Sequence, residues 1–150
     1  IGVDFAIGEN SITVNPSKNF KAARVQVMLY PGFPTDLQPQ ISVLLTQAAG
    51  KTLIHEPLYE NRLRHFEELR KMGADIEITD PHRALIFGKT ELSGTTVDAS
   101  DIRSGTALTL AALIAQDQTI VENISNIERG SEKFDEKLRS LGADIEKIGE

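Results

Sequence analysis

The sequence predicts an α/β (α+β) fold, a pseudo-symmetric α/β prism or inverse α/β barrel with helices inside and sheets outside. Three observations predict it. The chain repeats itself at a spacing of about 70 residues. Leu69-Arg-Lys-Met-Gly-Ala-Asp-Ile-Glu77 returns 69 residues later as Leu138-Arg-Ser-Leu-Gly-Ala-Asp-Ile-Glu146. Strand-like and helix-like stretches alternate within each repeat, which calls for sheets packed on helices. Finally, Thr106-Ala-Leu-Thr-Leu-Ala-Ala-Leu-Ile-Ala115 carries no charge on any face, and such a helix belongs inside a domain.

The 150 residues are one domain's worth of chain. The repeat divides them into about two units, 2–72 and 73–141, plus the first strand of a third, so the domain is expected to be incomplete. Gly2-Val-Asp-Phe5 reads as an earlier copy of the strand start at Gly73.

Each unit opens on a hairpin. Val3–Ile7 and Ser11–Val14 flank Gly8-Glu-Asn10, and Ile76–Thr79 and Ala84–Phe87 flank Asp80-Pro-His82. A third strand follows at Ala23–Leu29 and again at Thr95–Ala99. Next come the apolar helices, over 36–48 and 101–115, then strands at Thr52–His55 and Thr119–Glu122. An amphipathic helix closes each unit. Leu63, Phe66 and Leu69 form the inward stripe of the first, and Phe134, Leu138 and Leu141 that of the second. Gly73 and Gly142 occupy the C′ position that stops these helices.

Apolar residues make up 40% and charged residues 25%, as in a soluble globular protein. A net charge of −6 with no basic run argues against a general nucleic-acid binder. No stretch approaches the roughly 18 apolar residues of a transmembrane helix. No signal peptide is evident, and Ile1 stands where a start methionine is expected. The absence of Cys excludes a disulfide framework and a thiolate metal site. His55, His65 and His82 are scattered without metal-ligand spacing. No dinucleotide or P-loop glycine string occurs.

The stretch from Tyr30 to Gln40, Tyr-Pro-Gly-Phe-Pro-Thr-Asp-Leu-Gln-Pro-Gln, carries the strongest chemical signal. Its prolines and glycine fix a tight connection. Thr35-x-x-Gln38 has capping-box spacing, so Thr35 is the expected N-cap and Asp36 lies in the first helical turn. Taken locally, Asp36 only complements the helix dipole. Asp101 holds the same place in the second unit. Arg62 and Arg129 are likewise equivalent, with Arg129 expected at a helix start just before Gly130. Arg103 follows Asp101 by two residues. A guanidinium is a permanent planar cation suited to phosphate and carboxylate, although a lone arginine is more often a solvated surface group.

The string Pro31-Gly-Phe-Pro-Thr-Asp-Leu-Gln38 closely resembles one in the enolpyruvyl transferase family. So do Leu58-Tyr-Glu-Asn-Arg-Leu-Arg-His65, Ala99-Ser-Asp-Ile-Arg-Ser-Gly105 and Asn126-Ile-Glu-Arg-Gly130. The match covers nearly the whole chain and points to the C-terminal part of the branch that serves peptidoglycan synthesis. The resemblance implies transfer of the enolpyruvyl group of phosphoenolpyruvate to the 3-hydroxyl of UDP-N-acetylglucosamine, in the cytoplasm and without a cofactor. It implies that Asp36 contacts that hydroxyl and accepts or relays its proton. It places Arg62, Asp101, Arg103 and Arg129 around the substrates, with Arg129 on their anionic groups, and gives Leu58 a backbone contact to the sugar nucleotide. The family's proton-donor cysteine and an early Lys-Asn pair have no counterpart here. Both belong to the remainder of such an enzyme, as does most of the uridine pocket, so this chain alone is expected to be inactive. The alternatives are the sister enzyme that makes 5-enolpyruvylshikimate 3-phosphate and a non-catalytic binding module of the same fold.

Overall fold

The structure is a computed structural model, described here for residues 1–148. The element order hairpin, strand, helix, strand, helix runs through the chain twice. The first pass comprises β1 (Phe5–Ile7), β2 (Ile12–Val14), β3 (Arg24–Gln26), α1 (Gln38–Thr46), β4 (Gly50–His55) and α2 (His65–Lys71). The second comprises β5 (Ile76–Asp80), β6 (Arg83–Gly88), β7 (Thr96–Asp98), α3 (Ile102–Ala112), β8 (Ile120–Glu122), α4 (Ser125–Glu128) and α5 (Phe134–Ser140).

The sheets do not follow the sequence units. The four-stranded sheet runs β3-β4-β6-β5, so the parallel pair β3–β4 of one unit is completed by the hairpin β5–β6 of the next. The parallel pair β7–β8 and the hairpin β1–β2 each stand as separate two-stranded sheets among the described residues. Equivalent hydrogen bonds mark the internal symmetry. Val27 N–H donates to the His55 carbonyl at 2.9 Å, and Ala99 N–H donates to that of Glu122 at 3.1 Å.

The helices α1 and α3 pack against each other beneath the sheets, with α2 alongside α3. Val43, Leu45, Ala107, Leu108 and Ala111 meet Ile54, Phe66, Leu69, Met72 and Ile86 in one core. Buried hydroxyls inside these helices are satisfied locally. Ser42 Oγ donates to the Gln38 carbonyl at 2.7 Å and Thr109 Oγ1 to that of Gly105 at 2.9 Å.

The closing helices end as their glycines require. Gly73 and Gly142 have φ of 91° and 95°, a region open to glycine. In both, the residue after the glycine donates back to the helix, Ala74 to the Leu69 carbonyl at 2.9 Å and Ala143 to that of Leu138 at 3.1 Å. The inward stripe behaves differently in the two. Leu63, Phe66 and Leu69 are buried. Phe134 and Leu138 are only half-buried and Leu141 is exposed. Residues 143–148 hold no strand.

Candidate active site

The loops that leave β3, β4, β7 and β8 start at the carboxyl ends of two parallel pairs, the place where open α/β folds gather ligands. The loop after β3 closes on itself before it delivers Asp36. Gly32 N–H donates to the Leu29 carbonyl at 2.8 Å and Met28 N–H to that of Phe33 at 3.0 Å. Pro34 is extended, and Thr35–Leu37 form a single 3-10 turn ahead of α1. Thr35 is therefore not the N-cap that its spacing to Gln38 predicted. Its hydroxyl turns away from the helix and donates to Glu56 Oε2 at 2.6 Å, and neither the turn nor α1 has a side-chain cap. A buried carboxylate outcompetes the weaker backbone alternative.

Asp36 and Asp101, equivalent by sequence, do different jobs. Asp101 caps α3: Oδ1 accepts from the backbone N–H of Arg103 at 2.9 Å and of Ser104 at 3.3 Å, and Oδ2 accepts from the Ser104 hydroxyl at 2.5 Å. Partial burial opposes its charge, but these donors and the Arg103 guanidinium outweigh that and hold its pKa below the ordinary value. Asp36 caps nothing. Its exposed carboxylate meets two guanidiniums, Arg103 Nη1 at 3.2 Å and Arg62 Nη1 at 3.5 Å.

Each arginine is held by a second contact. Arg103 Nε lies 3.6 Å from Asp101 Oδ1, and the Arg62 guanidinium stacks 4.6 Å from the centre of the Tyr59 ring. Arg129 departs from its predicted place. It follows the single turn of α4 at its carboxyl end instead of opening a helix; α5 starts only at Phe134. Lys133, between α4 and α5, adopts a positive φ of 53° and so interrupts any continuous helix there. Two glycines nevertheless bring the Arg129 backbone beside the start of α3. Gly105 leaves room for Ile127, and Gly130 leaves room for the Ile102 side chain. Asn126 Nδ2 ties the same segment to the Ala99 carbonyl at 2.7 Å. The Arg129 side chain is exposed and makes no ion pair with any described residue.

Asp36, Arg62, Asp101 and Arg103 thus form one cluster, with Arg129 on the neighbouring loop. Leu58 lies on the loop after β4, exposed, with its N–H donated to Glu56 Oε1 at 3.1 Å. Sequence reasoning passed over Glu56, which is fully buried. A glutamate at a strand end before a proline gives no outward sign of burial; only the partners contributed by Thr35 and Leu58 distinguish it. Among the three histidines, His82 Nδ1 donates to the Glu56 carbonyl at 2.8 Å, while His65 is buried with neither ring nitrogen partnered.

The site can hold a carboxylate as a proton acceptor between two fixed cations, with a third cation on an adjacent loop. That is a composition for anionic substrates.

Comparison with known proteins identifies the family. The family profile of EPSP synthase (3-phosphoshikimate 1-carboxyvinyltransferase) matches residues 1–138. The chain is 49% identical over 148 residues to UDP-N-acetylglucosamine 1-carboxyvinyltransferase of Halothermothrix orenii, and 44% over 149 residues to that of Koribacter versatilis. Each match covers 99% of this chain, which spans only 35% and 34% of those relatives. The crystal structure of the enolpyruvyl transferase NikO from Streptomyces tendae superposes with a TM-score of 0.87 at 29% identity, over 96% of this chain and 33% of that one. EPSP synthase from Acinetobacter baumannii shares the fold, with a TM-score of 0.67 at 19% identity over 99% of this chain and 35% of that one. The inner helices, the outer sheets and these matches together show that the chain belongs to the enolpyruvyl transferases, the family of EPSP synthase.

Proposed function

We propose that this chain is the C-terminal portion of an enzyme that moves the enolpyruvyl group of phosphoenolpyruvate to the 3-hydroxyl of UDP-N-acetylglucosamine and releases phosphate. This is the first committed step of peptidoglycan synthesis, carried out in the cytoplasm for cell-wall growth. The observation that carries the reading is the exposed Asp36 carboxylate held between Arg103 and Arg62. The named relatives from Halothermothrix orenii and Koribacter versatilis support the choice of sugar nucleotide.

In this reading the sugar hydroxyl oxygen attacks C2 of phosphoenolpyruvate, and its proton passes to Asp36. An acid protonates the C3 methylene, which gives a tetrahedral adduct. The C2–O bond to phosphate then breaks, a proton leaves C3, and the double bond re-forms. Asp36 suits the first step as a positioned acceptor. Arg62, Arg103 and Arg129 suit the phosphate and carboxylate of phosphoenolpyruvate. Asp101 acts on the ligand through Arg103, because its own oxygens are taken up by the α3 cap. The acid and most of the nucleotide pocket come from the rest of the polypeptide.

The test is phosphate release by the full-length protein with phosphoenolpyruvate and either UDP-N-acetylglucosamine or shikimate 3-phosphate. Release with the sugar nucleotide alone is expected. Release with shikimate 3-phosphate instead would transfer the site to the sister reaction. Release with neither would leave a binding module.

A further inference from the structure

We propose that Glu56 is a positioning residue for the Asp36 site. Its buried carboxylate clamps the Thr35 hydroxyl and the Leu58 N–H and so fixes the catalytic turn relative to the sugar-facing loop. The inference rests on the functional reading above and deepens it.

Glu56 has no exposed surface. A buried carboxylate without a cation costs several kcal/mol unless hydrogen bonds satisfy it. No described residue makes an ion pair with Glu56; its oxygens are met by Thr35 Oγ1 at 2.6 Å and by Leu58 N at 3.1 Å. An apolar side chain would fill this place at lower cost to folding. What only a carboxylate offers is two acceptors facing two different segments.

The clamp is itself anchored. Glu56 N–H donates to the His82 carbonyl at 2.8 Å, and the Glu56 carbonyl accepts from His82 Nδ1 at 2.8 Å. Asp80 Oδ1 accepts from the His82 N–H at 2.8 Å, so the anchor is the β5–β6 turn. A fixed carboxylate then sets the Thr35 rotamer, and Thr35 opens the single turn that aims Asp36 between Arg103 and Arg62. At the other oxygen it consumes the Leu58 N–H. The Leu58 carbonyl is left as that residue's backbone group for the sugar nucleotide.

The experiment is a kinetic series on the full-length protein, with thermal unfolding measured on each variant. Thr35→Val removes one half of the clamp. A misplacement of about 1 Å costs up to roughly 100-fold, so kcat should fall by about 10–100-fold with little change in KM for UDP-N-acetylglucosamine. Glu56→Ala removes both halves, so kcat should fall and that KM should rise. The double variant Thr35→Val/Glu56→Ala should be no slower than Glu56→Ala, because both act through one contact. Glu56→Gln should recover part of the lost kcat, since its amide oxygen can accept from Leu58 and its NH₂ can donate to Thr35 Oγ1. Unchanged kcat in Thr35→Val, or losses that multiply in the double variant, would overturn the proposal. Asp36→Asn separates the two readings. If Asp36→Asn is slow while Thr35→Val is normal, only the positioning role fails; if Asp36→Asn is itself normal, the functional reading fails first.

Discussion

Arg103 Nη1 lies 3.2 Å from Asp36 Oδ1, although 67 residues separate them in the chain. The arginine belongs to the first turn of α3 and the aspartate to the turn before α1, so the contact joins equivalent places in two successive repeats. Neither residue would find the other unless α1 and α3 packed side by side with their starts level. The repeat is what brings this about.

The pair gives the first prediction. In the full-length protein, Asp36→Asn keeps the size of the side chain and most of its hydrogen bonding but removes the basic carboxylate. If Asp36 handles the hydroxyl proton, kcat should fall by roughly 10²–10⁴, the usual worth of a positioned acid–base group. Affinity for the sugar nucleotide should change less, because the amide still reaches the hydroxyl. Steady-state kinetics together with calorimetric binding check this. A near-normal kcat would return Asp36 to a surface residue beside two arginines.

Arg129 is exposed and makes no described ion pair, whereas Arg62 and Arg103 are already turned onto Asp36. It is the cation most available to an incoming anion. Arg129→Lys keeps the charge but loses the planar fork that grips an oxyanion at two points. KM for phosphoenolpyruvate should rise and kcat should fall, with sugar binding nearly intact. Equal weakening of both substrates would mean that the loop shapes the whole site and does not contact one ligand.

Much of this arrangement could be read in the sequence, and the exceptions have physical causes. Gly73 and Gly142 announced the helix ends because positive φ has few substitutes. Leu63, Phe66 and Leu69 showed their inward face by spacing alone. Thr35 misled, because its competing partner, Glu56, lies 21 residues away and local pattern cannot see it. Arg129 misled because the chain turns at Lys133, at positive φ, so that Arg129 ends the short helix α4 and α5 starts only at Phe134. The pairing of β4 with β6, across the unit boundary, left no trace in the repeat, since strand periodicity gives a face but not a partner.

His65 predicts a pH dependence of stability. Burial lowers its pKa from 6.5 to about 4, while the charge of Asp101 pulls the other way. The folded state therefore resists a proton that the unfolded chain accepts below pH 6.5. Stability should be unaffected by this group above pH 6.5, should fall as pH drops from there towards 4, and should level off below. At about 1.36 kcal/mol per pH unit, the full loss is about 3 kcal/mol. His65→Met fills similar volume without titrating, so its stability should fall less over this range. Urea midpoints between pH 4.5 and 7 decide it; parallel profiles for the two proteins would exclude His65 as the source.

Gly105 gives the last prediction, and here intrinsic propensity and packing oppose each other. It sits inside α3, where alanine is worth about 1 kcal/mol more than glycine in an open helix. Sequence alone would recommend Gly105→Ala as stabilising. The structure reverses the sign, because a Cβ at this position would lie 2.6 Å from Ile127 Cγ1 and 2.8 Å from Ala99 Cβ. Ala99 has no rotamer to yield, and Ile127 is buried. Overpacking of this kind costs about 1–3 kcal/mol, which exceeds or cancels the gain. Gly105→Ala should therefore lower the unfolding midpoint or leave it unchanged, but not raise it. Relief would come from moving the Ile124–Gly130 segment away from α3, which carries Arg129 with it. KM for phosphoenolpyruvate should then rise while KM for the sugar nucleotide holds. A rise in the unfolding midpoint would show that the segment shifts freely, and unchanged phosphoenolpyruvate kinetics would show that the site does not depend on where Gly105 seats it.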